Sequence, residues 1–320
     1  MSENPSSDAI AVGVDVGGTL LKAALVTVRG ELQATFQQDS PHTVAALRDF
    51  ILSVRRHAQR PVTGIGIGCK GVIDSSTTRV NSLPGNLHFL EGCELREVAE
   101  MEGLPVCADN DARAALVAEV LWGSARGRRN VVLLTLGTGV GGAALVNGLL
   151  VRGVSGAACH FGHMTIDVHG GLCICGNHGC LETRFSSRAI ESDYAAHIHR
   201  AVPTFLKLEA DGRAPNTEAI FQAASDGDPS ACRVLDLALE ALTASVVSLL
   251  HVFDPELLIL GGNIAAAGAQ LLGPLQDEVE RRTRGLLQRK VPIVLQSAVG
   301  YGGVAGAAGL VFLQEHLLTI

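Results

Sequence analysis

One short stretch of the chain gathers an imidazole and three thiols, His163-x9-Cys173-x-Cys175-x4-Cys180. Zinc favours such a tetrahedral Cys3His set, and Gly170, Gly171, Gly176 and Gly179 let the backbone wrap it. Four protein ligands leave no open coordination position, so the expected metal is a structural zinc, not a catalytic one. The plainer reading is of reduced cysteines in a loop. A zinc held here fixes one ring nitrogen of His163 and leaves the other to serve elsewhere in a set tautomer. Cys69, Cys93, Cys107, Cys159 and Cys232 are scattered and read as small apolar residues.

A second group with chemical potential is Asp109-Asn110-Asp111, at the end of a short apolar run. A carboxylate at a strand end can accept the proton of an attacking hydroxyl, the main proton chemistry that phosphoryl transfer asks of a protein. The commoner use of either Asp109 or Asp111 is to cap a helix starting near Ala112.

Glycine turns form a third group: Gly17-Gly18-Thr19 after Asp15, Gly137-Thr138-Gly139 within Gly137–Gly142, and Gly261-Gly262. Glycine lets backbone N–H groups approach phosphate oxygens where no Cβ intrudes. Gly137–Gly142 formally spells G-x-G-x-x-G, yet apolar strand residues follow it where a dinucleotide site needs a helix. No Lys precedes Thr19, so Gly13–Thr19 is not a Walker A loop. Each turn alone could be an ordinary hairpin tip. The three together, with Asp15, Thr19 and Thr138, point to a nucleotide held between two lobes.

The elements that must position these residues follow from pattern. Strands over Ile10–Val16 and from Leu20 flank the first glycine tip, and Val131–Leu136 and Ala143–Val146 flank the second. Helices are expected over Thr43–Ala58, before Leu104, over Ala112–Trp122, Leu235–Phe253 and Val304–His316. Buried strands are expected at Gly64–Gly68, Pro105–Ala108 and Leu257–Leu260, with a turn-rich segment running through Pro84-Gly85-Asn86. At 320 residues the chain exceeds one ordinary domain of about 150 residues.

Hydrophobic residues make up 47%, which excludes a disordered chain and supplies two cores. A net charge of -7 leaves no basic face for a polyphosphate backbone, so no nucleic-acid partner is expected. The arginines at 126, 128 and 129, and at 281, 282 and 284, read as solvated surface. The polar, acidic start of the sequence lacks a secretory pattern. The uncharged windows Val131–Val151 and Leu257–Gln276 are broken by Gly, Asn or Pro and read as buried strand plus tight turn, so no membrane association is expected. Cysteine usage without a disulfide framework fits a soluble, cytoplasmic protein.

Asp15-Val-Gly-Gly-Thr19-x-x-Lys22, Asn110-Asp111-Ala112, Leu136-Gly-Thr-Gly-Val-Gly-Gly142 and Gly162-His163…Cys173-x-Cys175-Gly176-x-x-Gly179-Cys180-x-Glu182 together resemble the ROK family of sugar kinases and related repressors. The resemblance implies an α/β, actin/hexokinase-like (ribonuclease H-like), duplicated two-lobed fold with a structural zinc loop at 163–182. Its lobes would be residues 8–115, completed by the C-terminal helix 304–318, and residues 116–303. It implies an ATP-dependent kinase that transfers the γ-phosphoryl group to a hexose hydroxyl, the 6-OH, with glucokinase-like specificity. N-acetylhexosamine or other hexose kinases, and a non-catalytic sugar-sensing protein, are the alternatives.

By the same resemblance Asp111 is the base, and Asn86, Asn110, Asp111, His160, His163 and Glu182 hold the sugar. Asp15, Gly17, Gly18, Thr19, Lys22, Gly137, Thr138, Gly139 and Gly262 hold ATP and Mg²⁺. A homo-oligomer, dimer or tetramer, is implied too. Family repressors carry a DNA-binding module before the first glycine hairpin, and only nine residues precede Ile10 here. The chain departs from the family in three places. His160 stands where E-x-G-H kinases have Glu, Cys69-Lys70-Gly71 where a Pro-Gly is usual, and Arg113 where Asn is frequent. A neutral imidazole offers one acceptor where a carboxylate offers two oxygens and a charge.

Overall fold

Small and branched apolar residues build the first hairpin: β1 (Ile10–Val16) and β2 (Leu20–Thr27) run antiparallel about the Gly17-Gly18-Thr19 tip. The computed structural model describes residues 8–83, 87–99, 103–297 and 301–320; Asn86, assigned to the sugar by resemblance, lies outside them. β3 (Leu32–Asp39), largely exposed, extends the hairpin as an edge strand. Thr43 caps α1 (Val44–Arg56), which buries Leu47, Phe50, Ile51 and Val54 at helical spacing. Next come β4 (Ile65–Cys69), the small hairpin of β5 (Val72–Asp74) and β6 (Arg79–Ser82), the single turn α2 (Leu95–Val98) and β7 (Val106–Asn110). α3 (Asp111–Leu121) starts directly from β7.

The chain continues through β8 (Val131–Leu136), β9 (Val140–Val146) and β10 (Leu149–Leu150). β9 starts earlier than the expected Ala143, so the second glycine turn is confined to Gly137–Gly139. Helices α4 (Ser187–His199), α5 (Thr217–Ser225) and α6 (Pro229–Phe253) follow, then β11 (Leu257–Gly261), α7 (Ala269–Leu287), β12 (Ile293–Leu295) and α8 (Gly302–Gln314). α6 begins with Asp228 as cap and Pro229 in the first turn, and stops at Asp254, in the left-handed region, before Pro255. It is long and apolar enough to cross a membrane by length and composition, yet half of its apolar window is buried, and it packs against α4, α5 and α7. The 257–276 window is not strand and turn throughout, because helix resumes at Ala269 with Pro274 inside it.

Two mixed five-stranded sheets result, ordered β3-β2-β1-β4-β7 and β10-β9-β8-β11-β12. The chain separates into two compact units. One takes the chain as far as Arg129, then Ala143–Cys159, and everything from Gln296 onward; the other takes Asn130–Gly142 and His160–Leu295.

In the first unit α8 packs on β1, β4 and α3 at backbone distance. A Cβ added to Gly66 of β4 would lie 1.7 Å from the Ala307 carbonyl oxygen, and one on Gly306 of α8 would lie 1.6 Å from that of Ala114 in α3. No rotamer relieves a clash with backbone, so Gly306→Ala should destabilise the protein by about 1–3 kcal/mol or more. A lowered denaturant midpoint at unchanged m-value is the expected reading, and an unchanged midpoint would contradict the packing.

Candidate functional site

β1, β4 and β7 are parallel neighbours, and their register aligns Val16, Cys69 and Asn110. Asp15, Lys70 and Asp111 therefore sit at the carboxyl ends of three adjacent strands, where open α/β sheets collect their ligand-binding groups. Asp15 is half-buried, pairs in register with Lys22 of β2, and lies against Gly303 at the start of α8: a Cβ there would come within 2.9 Å of Asp15 Oδ2. Burial, reinforced by the negative charge of Asp111 and opposed by Lys22, pushes its carboxyl up to about 7.

That shift has a testable sign. Below about pH 4 the folded and unfolded chains both protonate Asp15, and no penalty exists. As pH rises toward 7 the unfolded chain ionises freely while the fold resists, so stability is lost across that window. Asp15→Asn should match the parent near pH 4 and exceed it at pH 8 by up to about 4 kcal/mol in nucleotide-free unfolding titrations. Equal stability at both pH values would contradict it.

The capping expectation needs correction. The N-cap of α3 is Asn110, neither Asp109 nor Asp111: its Oδ1 accepts the Ala112 N–H at 3.0 Å and that of Arg113 at 3.4 Å, and its backbone is extended. Its Nδ2 donates to the Gly71 carbonyl at 3.1 Å, tying the Lys70-Gly71 turn to the same corner. Asp111 is the first helical residue, its Oδ1 accepting the Ala112 N–H at 2.9 Å. Burial raises its carboxyl above the usual range, against the pull of the Ala112 N–H, Arg113 and Lys70. Lys70 is half-buried and forms no ion pair among the described residues.

Asp109, to which the resemblance assigns no role, is fully buried and bonded to Arg113 Nε at 2.5 Å and Arg152 Nε at 2.8 Å. Spacing gives only the i, i+4 half of this pair; Arg152 comes from a distant loop.

At the first glycine tip, Gly17 N–H donates to the Leu20 carbonyl at 3.2 Å, and the Ser40 hydroxyl donates to the Gly17 carbonyl. Thr19, exposed, gives its carbonyl to the Ser40 N–H at 3.0 Å. The Lys22 ammonium lies 5.6 Å from the Tyr301 ring centroid.

In the second unit the parallel pair β8 and β11 likewise ends on glycine turns, Gly137–Gly139 and Gly261-Gly262. Gly262 has φ 85°, and a Cβ there would meet the Leu136 carbonyl oxygen at 2.3 Å, so no side chain fits. Glu182 braces the first of these turns. Its Oε2 accepts the Val140 N–H at 2.9 Å, its Oε1 lies 3.6 Å from Arg188, and a Cβ on Gly139 would come within 2.4 Å of Oε2. The Gly137 carbonyl accepts the Ser187 N–H at 2.8 Å, and Thr138's carbonyl accepts Arg188 Nε at 3.2 Å. The resemblance assigns Glu182 to the sugar; in the structure it holds the glycine turn.

One ring nitrogen of His163 and the sulfurs of Cys173, Cys175 and Cys180 all lie within 4.8 Å of one another. Cys173 Sγ is 3.6 Å from His163 Nδ1, and Cys175 Sγ is 3.7 Å from Cys180 Sγ. Zinc–sulfur bonds of about 2.3 Å at tetrahedral angles put sulfurs about 3.8 Å apart, so one tetrahedral cation fits this set. His160 stacks on His163, centroids 6.3 Å apart and planes within 16°.

The residues expected by resemblance thus fall into two groups. Asp15, Gly17, Gly18, Thr19, Lys22, Asn110 and Asp111 belong to the first unit, and Gly137, Thr138, Gly139, His160, His163, Glu182, Gly262 and the three metal-spaced cysteines to the second.

The ROK family's sequence pattern matches residues 11–314. A glucokinase from Streptomyces coelicolor is 33% identical over 309 residues, covering 94% of this chain and 97% of that one. An N-acetylmannosamine kinase from Escherichia coli is 31% identical over 271 residues, 81% of this chain and 85% of the other. The crystal structure of a ROK family glucokinase from Streptomyces griseus, in complex with glucose and AMPPNP, is similar with a TM-score of 0.79 at 30% identity, covering 94% of this chain and 99% of that one. With the family pattern spanning nearly the whole sequence and solved ROK structures covering 94% and 96% of it, this chain belongs to the ROK family.

Proposed function

We propose that this chain is an ATP-dependent hexose kinase that transfers the γ-phosphoryl group to the 6-hydroxyl of a hexose, with glucose as the leading acceptor. The observation that carries the reading is Asp111, a carboxylate held beside Asp15 at the aligned ends of parallel strands. Asp111 accepts the hydroxyl's proton as the oxygen attacks phosphorus, and Asn110 steadies the same corner. Mg²⁺, arriving with ATP, neutralises phosphate charge. In this reading Asp15 would reach that ion through water, and the turns of Gly17, Gly18 and Thr19, of Gly137, Thr138 and Gly139, and Gly262 would line the nucleotide with Lys22, the Gly17 and Gly137 N–H groups being already bonded to the Leu20 and Gly139 carbonyls. Because burial raises Asp111's carboxyl, the rate falls as pH drops through that raised value.

Zinc at His163, Cys173, Cys175 and Cys180 supplies structural cross-linking when bound. His163, with Nδ1 turned to the cysteines, is left Nε2 for a sugar hydroxyl. His160, Glu182 and Asn86 complete the sugar's surroundings in this reading. The two compact units act as the lobes, with α8 completing the first. A cytoplasmic homo-oligomer, dimer or tetramer, with neither nucleic-acid nor membrane partner, completes the proposal.

His160 in place of the family's usual Glu favours a second reading, an N-acetylhexosamine acceptor or a sugar-sensing protein without turnover. An ADP-release assay with Mg-ATP against hexoses and N-acetylhexosamines separates them. Turnover on glucose supports the proposal, and preference for an N-acetylhexosamine moves it to the alternative acceptor. Sugar binding with no ADP release above the Asp111→Asn background would sink the kinase reading.

A further inference from the structure

The corner that presents Asp111 rests on charges unrelated to the glycine turns or the metal-spaced loop. Asp109 Oδ1 accepts the Asn110 N–H at 2.8 Å and Arg113 Nε at 2.5 Å, while Oδ2 accepts Arg152 Nε at 2.8 Å. Arg113 is completely buried, and the rest of its fork is spent on backbone. Nη1 donates to the Ala158 carbonyl at 3.3 Å; Nη2 donates to those of Gly156 at 3.0 Å and Ile73 at 3.5 Å. The guanidinium thereby fastens the 152–158 loop and β5 to the first turn of α3, two residues from Asp111. Two guanidiniums share one carboxylate, which leaves a surplus positive charge at the helix start.

We propose that Asp109 and Arg113 form a buried positioning pair that fixes the first turn of α3 and sets the charge of Asp111. Neither side chain need touch substrate. The pair acts through Asn110, whose N–H it holds, and through the field at the Asp111 carboxylate. A carboxylate desolvated at a strand end tends to stay protonated, and a base must not. The surplus cation opposes that tendency together with the α3 N-terminus and Lys70. Asp15 on β1, partly offset by Lys22 of β2, works against it. Among the described residues, the remaining titratable groups at these strand ends and at the start of α8 are the thiol of Cys69 and the phenol of Tyr301. This inference rests on the proposed role of Asp111, and its test is chosen to be separable from it.

The discriminating experiment is the titration of Asp111 by carboxyl ¹³C NMR in the full chain, assigned with Asp111→Asn, alongside pH–rate profiles. Arg113→Gln removes the cation and should move the Asp111 titration, and the acid limb of kcat/KM, to higher pH by about one unit. Asp109→Asn leaves Arg113 less neutralised and should move both to lower pH. Arg113→Lys keeps charge but loses the fork, and should hold the titration near the parent value. If Arg113→Gln does not fold, the other two variants still decide the matter, because a merely structural pair would not shift the Asp111 titration downward in Asp109→Asn. Shifts of the same sign in Asp109→Asn and Arg113→Gln, or no shift in Asp109→Asn, overturn the proposal. An active Asp111→Asn enzyme would instead overturn the assignment of the base, with the NMR result still reading the pair.

Discussion

Replacing Asp111 by Asn lowers kcat by about 10²–10⁴-fold, the range that a positioned general base contributes. The variant retains the shape of the side chain and its acceptance of the Ala112 N–H, so glucose and ATP should bind much as before. It cannot take the proton of the attacking hydroxyl. Because burial raises the Asp111 carboxyl, the neutral amide also relieves a cost of the fold, and stability at pH 8 should hold or rise. Single-turnover rates with calorimetric sugar affinity check both halves. Near-parent turnover would take Asp111 out of the chemistry.

Much of the scaffold that presents Asp111 is legible in the chain because its signals are local. The first hairpin is written in small and branched residues around Gly17-Gly18-Thr19, and α1 in its Thr43 cap and apolar spacing. The Cys/His set is legible for the same reason: its ligands crowd one loop. What pattern misses is non-local or carries a locally contrary signal. Asn110 outcompetes two neighbouring aspartates as the cap because Asp109 is drawn into the core by Arg113 and Arg152, a partner from a distant loop. α7 hides behind Pro274 and its flanking glycines, which read as turn. β9 begins at Val140, inside a glycine run that reads as turn, and Glu182, far along the chain, accepts that residue's N–H.

Removal of the proposed zinc should have the second large effect. Cys175→Ser, at the one exposed cysteine of the three, should release the metal while disturbing the interior least. Structural zinc sites contribute about 10–16 kcal/mol in small isolated peptides, so loss of order throughout 163–182 is expected. With Nδ1 no longer held, His163 loses its fixed tautomer, and glucose affinity should fall by about tenfold or more. The parent should hold one zinc per chain by elemental analysis, and Cys175→Ser none. A metal-free Cys175→Ser protein with parent glucose affinity would contradict the positioning role of His163.

The glycine-to-carbonyl packing of α8 bears on how the protein is born. β1, β4 and α3 emerge from the ribosome together, but the helix that Gly13 and Gly66 are shaped to receive lies far downstream, at Gly302–Gln314. At about 5–20 residues per second, the nascent first unit waits roughly ten to forty seconds with a small-residue face uncovered. Translation that stalls before Gly302 therefore leaves an unfinished, aggregation-prone sheet instead of a smaller working domain.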